Sequence, residues 1–152
     1  MYKRQDLLSA TVAELVRCNE ENVRNEAKVA ATPGEPLAYA ILTLANAAAR
    51  PSYLAELELW AVARTDERLR DALRLVERNA RQESDRVVGE LFAPVVGRPG
   101  YAVVVALSVE FVRGLALSGI LRTDPSRREL LLRHWIDAAT LLLDRPPQPG
   151  NA

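Results

Sequence analysis

The chain has 152 residues, 49% hydrophobic and 26% charged, enough to bury a core within one domain. Its acidic and basic residues balance at a formal net charge of +0, which argues against a free-standing nucleic-acid binder, whose usual footprint is a basic excess. A single cysteine, Cys18, excludes an intramolecular disulfide and a cysteine metal cluster, and makes a reducing cytoplasm the expected setting.

Residues 5–31 read as the first helix. Leu8, Val12, Leu15, Val16, Val23 and Ala27 recur near helical spacing, while Asn19, Asn22 and Asn25 weaken its second half. No helix cap precedes Asp6 and the opening residues are too polar for a signal peptide, so residues 1–5 read as a non-native start. Pro33, Gly34 and Pro36 break the chain. A second helix follows over 37–49, with Leu37, Ile41, Leu44 and Ala48 on one stripe. Pro51 restarts the chain and Ser52 is expected to cap a third helix over 53–64, with Leu54, Leu57, Trp60 and Ala61 facing inward. Thr65 and Asp66 are expected to cap a long fourth helix over 67–92. Its stripe of Leu69, Leu73, Val76, Ala80, Val87 and Leu91 is interrupted at Glu83 and Ser84. Asp66/Arg70 and Glu77/Arg81 are spaced to form ion pairs.

Residues 101–121 and 126–143 read as a helical hairpin around a turn at Asp124 and Pro125, a cap followed by proline at the first helical position. Both helices are apolar nearly all round, so both must be buried nearly all round. The preceding helices cover one side; a second copy of the chain is expected to cover the other. Glu110 and Arg113 near the middle of the first hairpin helix argue against a membrane span. The expected layout is all-α: six helices in one domain over residues 6–145, then a proline-rich disordered tail over 146–152.

Catalysis finds little support. His134 is the only histidine, has no partner set, and reads as a surface or interface residue. No Glu-x-x-His pair and no glycine-rich phosphate loop is present, so neither metal nor cofactor is expected. A ligand pocket in a helical core needs apolar walls and a few placed polar groups. The candidates are Asn46, Asn79, Glu83, Ser108 and Glu110, polar residues on otherwise apolar faces, with Trp60 and Phe111 as aromatic walls. The plainer readings, favoured for each, are core for Trp60 and surface for Asn79 and Glu83. Glu110 and Arg113 lie three apart and can pair with each other or across a dimer. Gly114, with its small neighbours Ala116, Ser118 and Gly119, offers a thin face for a close helix. The expected dimer interface comprises Glu110, Arg113, Gly114, Leu117, Leu131, Trp135, Ala138 and Leu142.

The order of these parts resembles the C-terminal domain of TetR-family transcriptional regulators. The run Leu-Trp-Ala-Val-Ala-Arg-Thr-Asp at 59–66 is the most specific piece. Phe-Val-Arg-Gly-Leu-Ala-Leu-Ser-Gly-Ile-Leu at 111–121, the Asp124–Pro125 turn and the final apolar helix add to it, and Gln-Asp-Leu-Leu at 5–8 is similar to the helix that leaves the family's DNA-binding domain. The resemblance covers about residues 5–144. It implies a six-helix bundle whose last two helices form an intermolecular four-helix bundle in a homodimer. It also implies a small hydrophobic or amphipathic effector bound between the helices, whose binding shifts the first helix. The family's helix-turn-helix, which reads operator DNA, would precede residue 5, so no DNA contact maps onto this sequence. The alternative is a helical dimerisation or small-molecule-binding module that works without DNA.

Overall fold

A computed structural model describes residues 2–29 and 34–145. They form α1 (Tyr2–Val29), α2 (Pro36–Ala48), α3 (Pro51–Ala63), α4 (Glu67–Phe92), a 3-10 turn (Ala93–Val95), α5 (Tyr101–Gly119) and α6 (Pro125–Leu143). The fold is all-α, with no strand among the described residues. The expected tail, 146–152, lies outside them.

The caps follow side-chain chemistry. Asp124 accepts from the Ser126 and Arg127 amides at 3.0 and 3.2 Å, and Asp66 from the Leu69 amide at 3.1 Å, each satisfying donors at a helix start. Ser52 departs from expectation. Pro51 already occupies the first helical position of α3, so Ser52 lies inside the helix and its hydroxyl reaches α1. Arg70 pairs with Glu67 at 3.2 Å, one turn inside the helix, rather than with Asp66.

The main core joins α2, the end of α4, α5 and α6. Ile41, Phe92, Val104 and Ala139 are fully buried there. A smaller cluster of Val12, Ala63 and Leu73 joins α1, α3 and α4. In α3, Ala63 is buried and Ala61 exposed, the reverse of the sequence stripe. Two asparagines of α1 hold it to α3: Asn19 donates to Glu56 at 2.6 Å, Asn22 donates to Ser52 at 3.0 Å, and Ser52 donates to the Asn19 carbonyl at 2.6 Å. What they lose in helix propensity they recover as half-buried, paired amides.

The hairpin closes tightly. The Gly100 amide donates to the Leu143 carbonyl at 2.9 Å, and a β-carbon at Gly100 would lie 2.0 Å from the Leu142 carbonyl oxygen. Arg98 pairs with Asp144 beside it. Arg128 of α6 donates to the Ala45 carbonyl at 3.0 Å, tying α6 to α2. By length and composition, α5 could cross a membrane; here it packs against α2, α3 and α6.

Candidate functional site

Five helices leave a cavity of about 710 Å³ between them, within the range that holds a drug-sized ligand. α1 contributes Val16, Asn19, Glu20 and Val23; α2 contributes Leu44, Ala47 and Ala48. Tyr53, Glu56, Leu57 and Trp60 come from α3, and Tyr101, Val105, Val109, Glu110, Val112 and Arg113 from α5. α4 supplies Arg81, Ser84, Asp85, Val87 and Val88. The interruption of its apolar stripe therefore coincides with the cavity: where Val76 and Val87 leave a gap in the stripe, polar side chains line open space.

The polar groups gather around α1, α3 and α5. Arg113 donates through Nη1 to both Glu110 oxygens at 2.6 Å, and its guanidinium lies 4.9 Å from the Trp60 ring centre, a cation–π contact. Its Nε is buried without a protein hydrogen-bond partner. Burial opposes the Arg113 charge, but Tyr53 and Glu110 outweigh it and hold the group above the ordinary arginine value. Burial pushes the Tyr53 phenol up, partly offset by Arg113. Glu20 is 13% exposed, and its nearest ion-pair partner is Arg24 at 3.9 Å. Burial raises its carboxyl above the ordinary value, helped by Glu83 and opposed by Arg24 and Arg86.

Of the residues singled out in the sequence as pocket candidates, Trp60 and Glu110 line this cavity. Asn46 is exposed on α2 and accepts from Arg128 at 3.4 Å. Glu83 is exposed and paired with Arg86 at 2.7 Å. The Asn79 side chain lies outside the described residues. Ser108 and Phe111 turn away from the cavity into the hairpin, where both meet Trp135. Glu110 and Arg113, expected at a dimer face, stand at the cavity. Gly114 and Leu117 are exposed on α5.

On α6 the outward-facing row is offset by one residue from the expected one and is half polar. Leu131, Trp135, Ala138 and Leu142 are half-buried, and Trp135 and Leu142 pack against the core; Leu130, His134, Asp137 and Leu141 face outward. Among the described residues, eleven large apolar side chains are exposed, and seven of them belong to the hairpin: Val103, Leu107, Leu117, Ile120, Leu121, Leu130 and Leu141. Val103, Leu107, Glu110, Gly114, Leu117 and Leu121 follow the 3.6-residue period along one exposed face, with Glu110 its one charge. Exposed apolar residues scattered singly are ordinary; a contiguous row marks a contact surface.

The lining residues missed in the sequence are Glu20, Tyr53, Glu56, Arg81, Asp85 and Tyr101. Glu20 had a signal, because it occupies the i+4 position between Val16 and Val23 on the stripe of α1. Among the described residues no group of three or more His, Cys, Asp or Glu is placed to hold a metal ion. Cys18 is half-buried, with Sγ 3.7 Å from Glu14. Comparison of the chain with known protein families, curated proteins and solved structures returns no match.

Proposed function

We propose that this chain is the effector-binding and homodimerising portion of a TetR-type transcriptional regulator that acts in the cytoplasm. The observation that carries the reading is the pairing of an open cavity between five helices with an exposed, largely apolar row on a neighbouring face of α5. Val105, Val109 and Arg113 line the cavity, while Val103, Leu107 and Leu117 point outward. One helix therefore touches both a bound molecule and a partner protomer. Packed against its own copy, the α5–α6 hairpin forms a four-helix bundle, giving a six-helix domain dimerised through its last two helices.

The wall supplied by α1 supports the regulatory half of the reading. Val16, Asn19, Glu20 and Val23 place the first helix in contact with anything that fills the cavity. In the resembled family the equivalent helix leads to the DNA-reading head, so a ligand with different affinity for two positions of α1 would change the spacing of the heads.

Mass by light scattering tests the dimer. The chain is expected at twice its 16.8 kDa, and Leu117→Glu or Leu141→Glu, both exposed in the protomer, at the monomer mass; a monomeric wild type overturns the reading. The reading frame upstream of Met1 in the genome separates the two functional classes. An in-frame helix-turn-helix supports the regulator, and sequence-specific DNA binding by the 152-residue chain alone would mean that these helices read DNA themselves. A dimer with neither is the module that works without DNA.

A further inference from the structure

The charge inventory of the cavity points to one class of ligand. Its lining carries four carboxylates, Glu20, Glu56, Asp85 and Glu110, against two guanidiniums, Arg81 and Arg113. Arg113 is already committed, with Nη1 on both Glu110 oxygens and its guanidinium over Trp60. An incoming anion would have to displace Glu110 to reach it. The unpartnered Nε of Arg113 asks only for a neutral acceptor oxygen. Glu20 is in the opposite position. It is 13% exposed, with one guanidinium at 3.9 Å, the outer limit of an ion pair. The next basic group toward it on α4, Arg86, is engaged with Glu83 and Glu90. A carboxylate largely removed from water and weakly countered is costly, and a cation brought to it relieves that cost. The remaining walls suit the rest of such a molecule. Val105, Val109, Val112 and Leu44 are aliphatic, and Tyr53 and Tyr101 present aromatic surface that attracts an ammonium.

We propose that the cavity takes an amphipathic cation, an apolar body bearing a protonated or quaternary amine, with the Glu20 carboxylate as its counter-charge. The proposal rests on the reading of the cavity as an effector site. The test uses three probes with one hydrocarbon chain and different heads: decyltrimethylammonium, decanol and decanoate. Each is titrated into the full chain below its micelle threshold, with binding read by calorimetry. The cation is expected to bind about tenfold or more tighter than either other probe, an increment of one decade for a single well-placed charge contact. Glu20→Gln should remove that advantage and leave decanol affinity within about twofold, while Glu83→Gln, outside the lining, should change neither. Tighter binding of decanoate, or a cation affinity indifferent to Glu20→Gln, overturns the cationic class and leaves the effector site standing. Absence of binding by all three probes overturns both. The comparison of heads on the wild-type chain decides the matter even if Glu20→Gln fails to fold.

Discussion

Trp135 of α6 donates its indole N–H to the Ser108 hydroxyl of α5 at 3.1 Å, and Phe111 stacks on the same indole with ring centres 5.5 Å apart. Ser108 is fully buried. The hydroxyl therefore serves the hairpin rather than a ligand, satisfying a donor that the apolar surroundings would otherwise strand. Ser108→Ala leaves the indole N–H without its acceptor and should cost about 1–3 kcal/mol, read as a fall in the urea midpoint at unchanged m-value. Ligand affinity should stay as in the wild type. A loss of affinity without a loss of stability would place Ser108 in the binding site after all.

Gly100 is the second fixed point of the hairpin. Its backbone angles are open to any residue, with φ at −88°; the requirement is space. A methyl group there meets the Leu142 carbonyl oxygen at 2.0 Å and the Leu143 α-carbon at 3.0 Å, both backbone atoms that cannot rotate aside. Gly100→Ala should part the start of α5 from the end of α6, break the Gly100–Leu143 hydrogen bond and cost about 3 kcal/mol. Gly89→Ala, inside α4 where nothing lies within 4 Å, should instead gain up to about 1 kcal/mol in helix propensity. Chemical denaturation of the two variants side by side separates steric demand from propensity, and equal effects would refute the distinction.

Much of the fold was legible because it depends on local signals. Proline and glycine at 34, 36, 51, 97–100 and 125 set the breaks, and Asp66 and Asp124 cap as their types predict. The long α4 matches its expected bounds, 67–92, because one cap and one apolar stripe agree. The candidate site was far less legible. Ser108 and Phe111 look like pocket residues on a helical wheel, yet which apolar face of α5 meets α6 and which meets open space depends on the tilt between helices. Leu130 and Leu141 face outward while Leu131 and Leu142 are half-buried, an offset of one residue that the leucine runs at 130–132 and 141–143 leave open. Glu20 was the readable signal: a lone carboxylate on the apolar stripe of α1. The broken stripe of α4 was another, although Ser84 and Asp85 rather than Glu83 reach the cavity.

Thr43 illustrates a buried polar group with no evident benefit to stability. It is 1% exposed on α2, and its hydroxyl has no hydrogen-bond partner among the described residues. Thr43→Val keeps the branched shape and replaces the unpaired hydroxyl by a methyl group, so the desolvation penalty disappears. The variant should be more stable by about 1 kcal/mol, measured as a higher urea midpoint. A destabilised variant would mean that the hydroxyl is engaged when the chain is free in solution, and would direct attention to a partner for α2.

The last prediction concerns pH. Burial raises the Glu20 carboxyl above its ordinary 4.5, with Glu83 adding to the rise and Arg24 and Arg86 opposing it. In the window between 4.5 and the raised value, the folded chain holds a proton that the unfolded chain has released. The slope of stability with pH follows protons bound in the unfolded minus the folded state, and here it is negative. This group's contribution to stability is therefore lost as pH rises through the window, and the cost is present in full at pH 7. Glu20→Gln has no proton to lose. Its melting temperature should exceed that of the wild type at pH 7, with the gap closing as pH falls toward 4. Thermal melts of both proteins across that range measure it. A variant less stable at pH 7, or a gap that does not vary with pH, would show that the Arg24 contact at 3.9 Å outweighs desolvation and that Glu20 is a structural ion pair.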